Sequence, residues 1–264
     1  MELITLTIAL AVGLIMGLTG AGGSILTVPV FTYLLKLDVV TATTYSLFVV
    51  GATSAVGAYR NYKSGQIELK PALYFAFPSL FMVLATRGFI LPLVPEVIFE
   101  SRFILVHRQN LLMGLFAILI IYAGIKMILP ASLKGNETKG ADDHKVRLAV
   151  QGSVLGTIMG FLGAGGGFMI VPVLVLFAGM DMKKAIGTSL FLISLNALSG
   201  FFAGWGALES VDWVLLTIFS ALMIAGILIG GHYASKINPA ILKKGFGYFI
   251  LAVAGYIITK EFFI

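Results

Sequence analysis

Hydrophobic residues fill long stretches of the chain, and polar residues gather in short segments between them. Six apolar stretches are about 20 residues long, enough for a helix to cross a hydrocarbon core of about 30 Å. Two apolar runs, 3–36 and 148–179, are longer. A straight helix of about 33 residues would measure about 50 Å, so each long run must break or fold back. The six shorter stretches predict transmembrane helices at 40–59, 71–87, 109–128, 184–204, 211–231 and 239–259.

A glycine cluster lies in the middle of each long run, where a break would fit. The first cluster reads GLTGAGGSILTVPV at 17–30, and the second reads GFLGAGGGFMIVPV at 160–173. An offset of 143 residues aligns 17–57 with 160–200 without a gap, and 14 of the 41 aligned residues are identical. This match predicts a duplicated unit. We also expect Pro29 and Pro172 in or near the first turn of the helical arm that follows each cluster.

Composition then fixes the environment of the helices. The chain is 59% hydrophobic and only 11% charged, with a mean hydropathy of +1.02, whereas a soluble domain carries about 25% charged residues. The chain therefore faces lipid rather than water. The absence of cysteine excludes disulfides and thiolate chemistry, and we expect no enzyme, metal or other cofactor.

Basic residues predict how the chain crosses the membrane. If each glycine-broken run doubles back, 13 of the 18 Lys and Arg residues lie on one side and five on the other. Since cytoplasmic loops carry the excess of Lys and Arg, both termini are predicted outside. The predicted domains are a first repeat at 1–129, a cytoplasmic linker at 130–147 and a second repeat at 148–264. The predicted fold class is an all-α polytopic membrane protein with two inverted repeats, each a glycine-broken hairpin plus three transmembrane helices.

One segment of the first repeat, 88–109, has no counterpart in the second. Its bases alternate with apolar residues, which indicates an amphipathic segment at the outer membrane surface. A contact between two copies of the chain, in a homodimer, is the other role considered for it. The basic balance, with a pI near 9.5, is explained by topology, so nucleic acid is not an expected partner.

The broken runs are the candidate binding site. Irregular backbone is tolerated at membrane depth only where it faces protein or a watery cavity, and paired inverted breaks mark transporter sites. Free N–H groups at a helix start favour an anion. The alternative is that the glycines serve close helix packing alone. The candidates in the two clusters are Gly20, Ala21, Gly22, Gly23, Ser24, Gly163, Ala164, Gly165, Gly166 and Gly167.

Neutral polar side chains are expected to complete the site. Ser46 and Ser189 are equivalent under the offset of 143, and Asn196 lies two turns after Ser189. Asp38 and Asp181 are also equivalent, but each comes directly before a helix and is predicted to be an N-cap. No Asp, Glu or His lies in the middle of a predicted span, so a proton relay is hard to build. An anion leaving an inside-negative cell gains about 2.3 kcal/mol per charge per 100 mV, which favours potential-driven efflux.

The paired signature, GLTGAGGSILTVPVF at 17–31 and GFLGAGGGFMIVPVL at 160–174, resembles that of the TauE/SafE family of sulfite and organosulfonate exporters. YSLF at 45–48 and TSLF at 188–191 fit the same family. The resemblance implies an inner-membrane transporter that exports a small sulfur-containing anion, such as sulfite or sulfoacetate, bound at the two glycine clusters. Ser24 departs from the second copy, which has Gly167 there. An anion channel and an importer of a related oxyanion remain as alternatives.

Overall fold

The computed structural model describes residues 3–20, 23–86, 89, 93, 97–101, 104–129, 141–162, 167–204 and 211–263. Within these residues the chain forms ten α-helices and one strand pair. The helices are α1 (Leu3–Thr19), α2 (Gly23–Pro29), α3 (Val39–Lys63), α4 (Leu69–Ala85), α5 (Arg108–Ile128), α6 (Ala141–Leu162), α7 (Ile170–Leu176), α8 (Met182–Gly204), α9 (Trp213–Lys236) and α10 (Pro239–Phe263). The strands are β1 (Val97–Ser101) and β2 (Ile104–His107).

The chain is nearly all helical, and each of the six predicted transmembrane helices occurs as a helix at its expected place. Among the described residues, three helices are long and apolar enough to cross a membrane: Val40–Lys63, Met182–Phe202 and Trp213–Lys236. The predicted linker at 130–147 is helical from residue 141, where α6 begins. Residues 130–140 lie outside the described part of the chain.

The unmatched segment 88–109 contains the strand pair, which is antiparallel and sets Val97 opposite His107 and Ser101 opposite Ile104. The sequence pattern predicted only an amphipathic surface segment and an all-α chain. Alternating apolar residues, several of them β-branched, suit a strand as well as an interfacial helix. This hairpin is the exception to helical structure among the described residues.

The first long run breaks at Gly20. Helix α1 ends at Thr19, the Gly20 N–H donates to the Met16 carbonyl oxygen at 2.8 Å, and Gly20 takes a left-handed φ of +78°. A Cβ built on Gly23 would lie 2.6 Å from Met16 Sδ, although seven residues of continuous helix would separate the two by about 10 Å. The chain therefore turns back on itself after α1.

The two prolines take different places in the arms that follow. Pro172 is the third residue of α7, behind a 3-10 turn at 167–169, which agrees with the prediction. Pro29 is the last residue of α2, and a π-helix at Val30–Leu34 continues the arm. The expected first-turn position of Pro29 is therefore wrong. The π-helix starts where the missing proline N–H and the bulk of its ring interrupt regular α-helical bonding.

The described chain forms two compact units, and each combines elements from both halves of the sequence. Unit 1 contains Met1–Leu73, Ala164–Val175 and Gly179–Leu242, whereas unit 2 contains Tyr74–Gly163, Leu176–Ala178 and Lys243–Ile264. Helices α1, α3, α8 and α9 form the body of unit 1. Most of α4 and α10, with α5 and α6, form unit 2.

Helices α1 and α9 of unit 1 run parallel with their backbones in contact. A Cβ built on Gly13 would overlap the Met223 carbonyl oxygen, and one built on Gly230 would overlap the Leu14 carbonyl oxygen. Small residues allow such an approach between helices in a membrane, where no hydrophobic driving force brings them together.

Helices α3 and α8, which correspond under the offset of 143, pack antiparallel in unit 1. A Cβ on Gly57 would lie 3.0 Å from Leu190 Cδ1, and a Cβ on Gly200 would lie 3.2 Å from Leu47 Cδ1. Adding 143 to the α3 residue of each pair and subtracting it from the α8 residue turns one pair into the other. The contacts of Gly187 with Asn61 and of Gly204 with Thr44 are exchanged in the same way.

Unit 2 repeats this packing with its own helices. A Cβ on Gly156 in α6 would overlap the Ser79 carbonyl oxygen in α4, as a Cβ on Gly13 would overlap that of Met223. Gly13 and Gly156 correspond under the offset. Helices α5 and α10 are antiparallel, with Leu251 against Gly124 and Ile128 against Gly247, each 2.8 Å from the added Cβ.

Alanine at Gly13 and Gly156 tests these backbone contacts. We expect Gly13→Ala and Gly156→Ala each to destabilise the protein by about 1–3 kcal/mol, because backbone must move to admit the methyl group. Gly245→Ala is the matched control, since a Cβ there meets nothing within 4 Å and alanine favours the helix. Unfolding in SDS followed by circular dichroism would measure all three, and equal stabilities would contradict the packing.

Candidate functional site

The break of the first repeat rests on a helix of the second repeat. Ser189 of α8 is fully buried, and its hydroxyl lies 2.9 Å from the Gly20 carbonyl oxygen and 2.9 Å from that of Ile186. A Cβ on Gly20 would lie 2.8 Å from Ile186 Cα. Glycine is therefore required at position 20 twice, by the left-handed turn and by the close approach of α8.

The arm that follows the break is held by α3. The hydroxyls of Thr27 in α2 and Ser46 in α3 share a hydrogen bond of 2.5 Å, and both side chains are buried. The equivalent serines Ser46 and Ser189 thus both contact the glycine hairpin of the first repeat. Offset equivalence identified the two residues, but it did not predict that they would meet the same hairpin.

The remaining predicted residues are placed as follows. Gly23 begins α2 and faces Met16 and Met223, Ser24 lies in α2 with its side chain outside the description, and Gly167 opens the 3-10 turn before α7. The other candidates lie outside the described residues: Ala21, Gly22, Gly163, Ala164, Gly165 and Gly166.

Asn196 is joined by two residues that sequence reasoning missed. Its Nδ2 atom is buried without a hydrogen-bond partner among the described residues, and so are Thr53 Oγ1 and Ser54 Oγ. Leaving a buried polar atom unsatisfied costs about 1–3 kcal/mol, so such groups point to a missing partner. The signal that could have found Thr53 is the repeat itself, because the offset of 143 aligns it with Asn196.

The start of α8 is tied to the loop between α3 and α4. Lys184 forms an ion pair with Glu68 at 2.7 Å, and the Glu68 N–H donates to the Thr188 hydroxyl at 3.3 Å. At the start of α3, the Asp212 N–H donates to the Tyr45 hydroxyl at 2.6 Å. Tyr45 and Thr188 correspond under the offset, so each end of the α3–α8 crossing carries one backbone-to-hydroxyl bond.

Comparison with known proteins decides what kind of chain carries this geometry. The family described as "Sulfite exporter TauE/SafE" matches residues 5–257. The chain belongs to the TauE/SafE family. The resemblance seen in the paired glycine signature is therefore confirmed, and the protein is a membrane transporter.

Curated relatives of this TauE/SafE protein carry the same general description. A "Probable membrane transporter protein" of Xylella fastidiosa is 30% identical over 95% of this chain and 92% of its own length. One of Haemophilus influenzae is 29% identical over 96% of both chains, and the Bacillus subtilis protein YdhB is 25% identical over 93% of this chain and 95% of its own. No solved structure matches the chain significantly.

The buried interior of this TauE/SafE transporter is polar without being charged. Wherever burial is described, every buried polar side chain is Ser or Thr, and these include Thr188, Ser194 and Ser220. Hydroxyl groups can donate to an anion without placing a fixed charge in a low-dielectric region.

Asp38 serves as the N-cap of α3 in this family member, as predicted. Its carboxylate accepts hydrogen bonds from the N–H groups of Val40 and Thr41, each at 3.0 Å. Hydrogen bonds from Thr41, followed by that from Val40, hold the pKa of the Asp38 carboxyl below its usual value. Asp181 directly precedes α8, and its carbonyl oxygen accepts from the Ala185 N–H at 2.8 Å.

The contact between the break and α8 can be measured with two alanine variants. Gly179 also has a left-handed φ, +70°, but a Cβ there meets nothing within 4 Å. Gly179→Ala should therefore cost only the backbone strain, about 1–2 kcal/mol. Gly20→Ala should cost about 1–3 kcal/mol more because it also presses on Ile186. Denaturation in SDS gives both values, and equal losses would rule out the contact.

Proposed function

We propose that this transporter moves a small sulfur-containing anion, sulfite or a C2 organosulfonate such as sulfoacetate, out of the cell. The family description supplies the substrate class. The observation that carries the mechanism is the bond from Ser189 in the second repeat to Gly20 at the break of the first. It brings the irregular backbone of one repeat against the buried hydroxyls of the other.

The proposal includes inverted repeats in the inner membrane, with both termini outside. Helices α3 and α8 correspond in sequence yet pack antiparallel, and their contacts exchange under the offset of 143. Helices that correspond in two repeats and run in opposite directions support an inverted relation. Inverted repeats that meet at broken helices near the bilayer midplane are typical of secondary transporters.

An anion suits the chemistry of this region. The buried polar groups are hydroxyls, joined by the Asn196 amide, and all of them can donate hydrogen bonds to oxygens of a sulfite or sulfonate group. A buried carboxylate would repel such a substrate. The glycine hairpin supplies backbone that a ligand can approach closely.

Efflux needs no coupling ion in this scheme. For each negative charge, a potential of 100 mV, inside negative, contributes about 2.3 kcal/mol. At equilibrium that potential alone would hold the anion at an outside concentration about 50 times the inside concentration per unit of charge.

Proteoliposomes loaded with sulfite or sulfoacetate test the function. We expect an inside-negative potassium diffusion potential, set with valinomycin, to accelerate efflux, and a pH gradient alone to leave it unchanged. Protein-free liposomes are the control. Efflux that required a pH gradient and ignored voltage would contradict the mechanism, and unitary currents in planar bilayers would identify a channel instead.

A further inference from the structure

The centre of the α3–α8 crossing holds three buried donor atoms without a partner among the described residues: Thr53 Oγ1, Ser54 Oγ and Asn196 Nδ2. Thr53 and Ser54 are fully buried as whole side chains. Other hydroxyls on these helices are satisfied. Thr44, for example, donates to the Val40 carbonyl oxygen at 2.9 Å within its own helix.

The register of the crossing brings the three residues to one level. The pair Gly57–Leu190 and the exchanged pair Leu47–Gly200 lie at equal distances on either side of a midpoint. That midpoint falls beside Thr53 on α3 and beside Asn196 on α8. The equivalent positions of the two repeats therefore meet where the helices cross.

Helical periodicity gives the faces on which these residues lie. Residues seven apart share a helix face, so Thr53 lies on the face of Ser46, which bonds to Thr27 of the arm. Asn196 lies likewise on the face of Ser189, which bonds to Gly20.

Ser54 lies on the neighbouring face of α3. It is seven residues from Leu47 and three from Gly51, and both of these positions contact α8. Ser54 therefore belongs to the side of α3 that meets α8.

The arm from Gly20 to Thr27 passes over this level. Gly20 contacts α8 before the midpoint, and Thr27 contacts α3 before its midpoint. Because the helices are antiparallel, these two contacts lie on opposite sides of the crossing. The glycine-rich start of α2 therefore spans the region of the three unpartnered donors.

We propose that Thr53, Ser54 and Asn196 form a charge-neutral binding site for a small oxyanion at the midpoint of the α3–α8 crossing. The proposal rests on the proposed function and names the residues at which the anion is held. A group with several acceptor oxygens, such as sulfite or a sulfonate, satisfies the three donors together. The two repeats contribute equivalent positions, so the anion meets similar donors from either side.

Isothermal titration of the purified full-length transporter tests the site, with sulfite, sulfoacetate and acetate as probes. Thr53→Val and Asn196→Leu remove a donor with little change in shape. Each should weaken binding of the sulfur anions about tenfold or more, as expected for a hydrogen bond to a charged group. Thr53→Ser keeps the hydroxyl and should bind within about threefold of wild type.

Thr44→Val is the matched control, because its hydroxyl is already bonded within α3 and its loss should leave affinity unchanged. Gel filtration and the thermal midpoint establish that each variant is folded. If Thr53→Val does not fold, the smaller change Ser54→Ala decides the question. Unchanged affinity in folded donor variants would overturn the central site, and ordered water would then be the partner of these atoms.

The two proposals fail in different ways. If the wild-type protein binds acetate but neither sulfur anion, the substrate assignment is wrong. Loss of acetate binding in Thr53→Val and Asn196→Leu would still support the central site. If the sulfur anions bind and are exported with equal affinity by all variants, the function stands and the central site falls. If no anion binds the wild type, both proposals are overturned.

Discussion

The antiparallel crossing of α3 and α8 is the contact around which unit 1 is arranged. Each helix carries a glycine where a leucine of its partner comes closest, so Gly57 admits Leu190 and Gly200 admits Leu47. In a membrane, this close fit replaces the hydrophobic driving force that assembles helices in water. The glycine hairpin is bonded to both helices, and its position therefore follows from theirs.

Hydroxyls along the crossing fall into two groups. Those away from the midpoint are bonded: Ser46 to Thr27 and Ser189 to Gly20. Those at the midpoint have no partner in the described structure. The first group holds the hairpin in place, and the second is left for a solute. A binding site without a fixed positive charge holds an anion through hydrogen bonds alone, which suits a carrier that must also release it.

Hydropathy was sufficient to predict the six long helices, and the glycine cluster was sufficient to predict the break at Gly20. Ser46 and Ser189 could be selected because the repeat aligns them. Thr53 and Ser54 could not be selected in this way, since most hydroxyls in membrane helices bond to their own i−4 carbonyl, as Ser153 and Thr157 do. Only the contacts show which hydroxyls are left over. The strand pair was missed because its alternation also fits an amphipathic surface segment.

The ion pair between Lys184 and Glu68 gives the crossing a property that duplication by itself does not. The offset of 143 places Thr41 and Val211 at the corresponding positions of the opposite end, and neither carries a charge. Parting the start of α8 from its loop separates opposite charges, whereas parting the start of α3 from its loop separates an amide from the Tyr45 hydroxyl. The frame is mechanically even but electrically lopsided, and this tilt weakens as salt screens the pair.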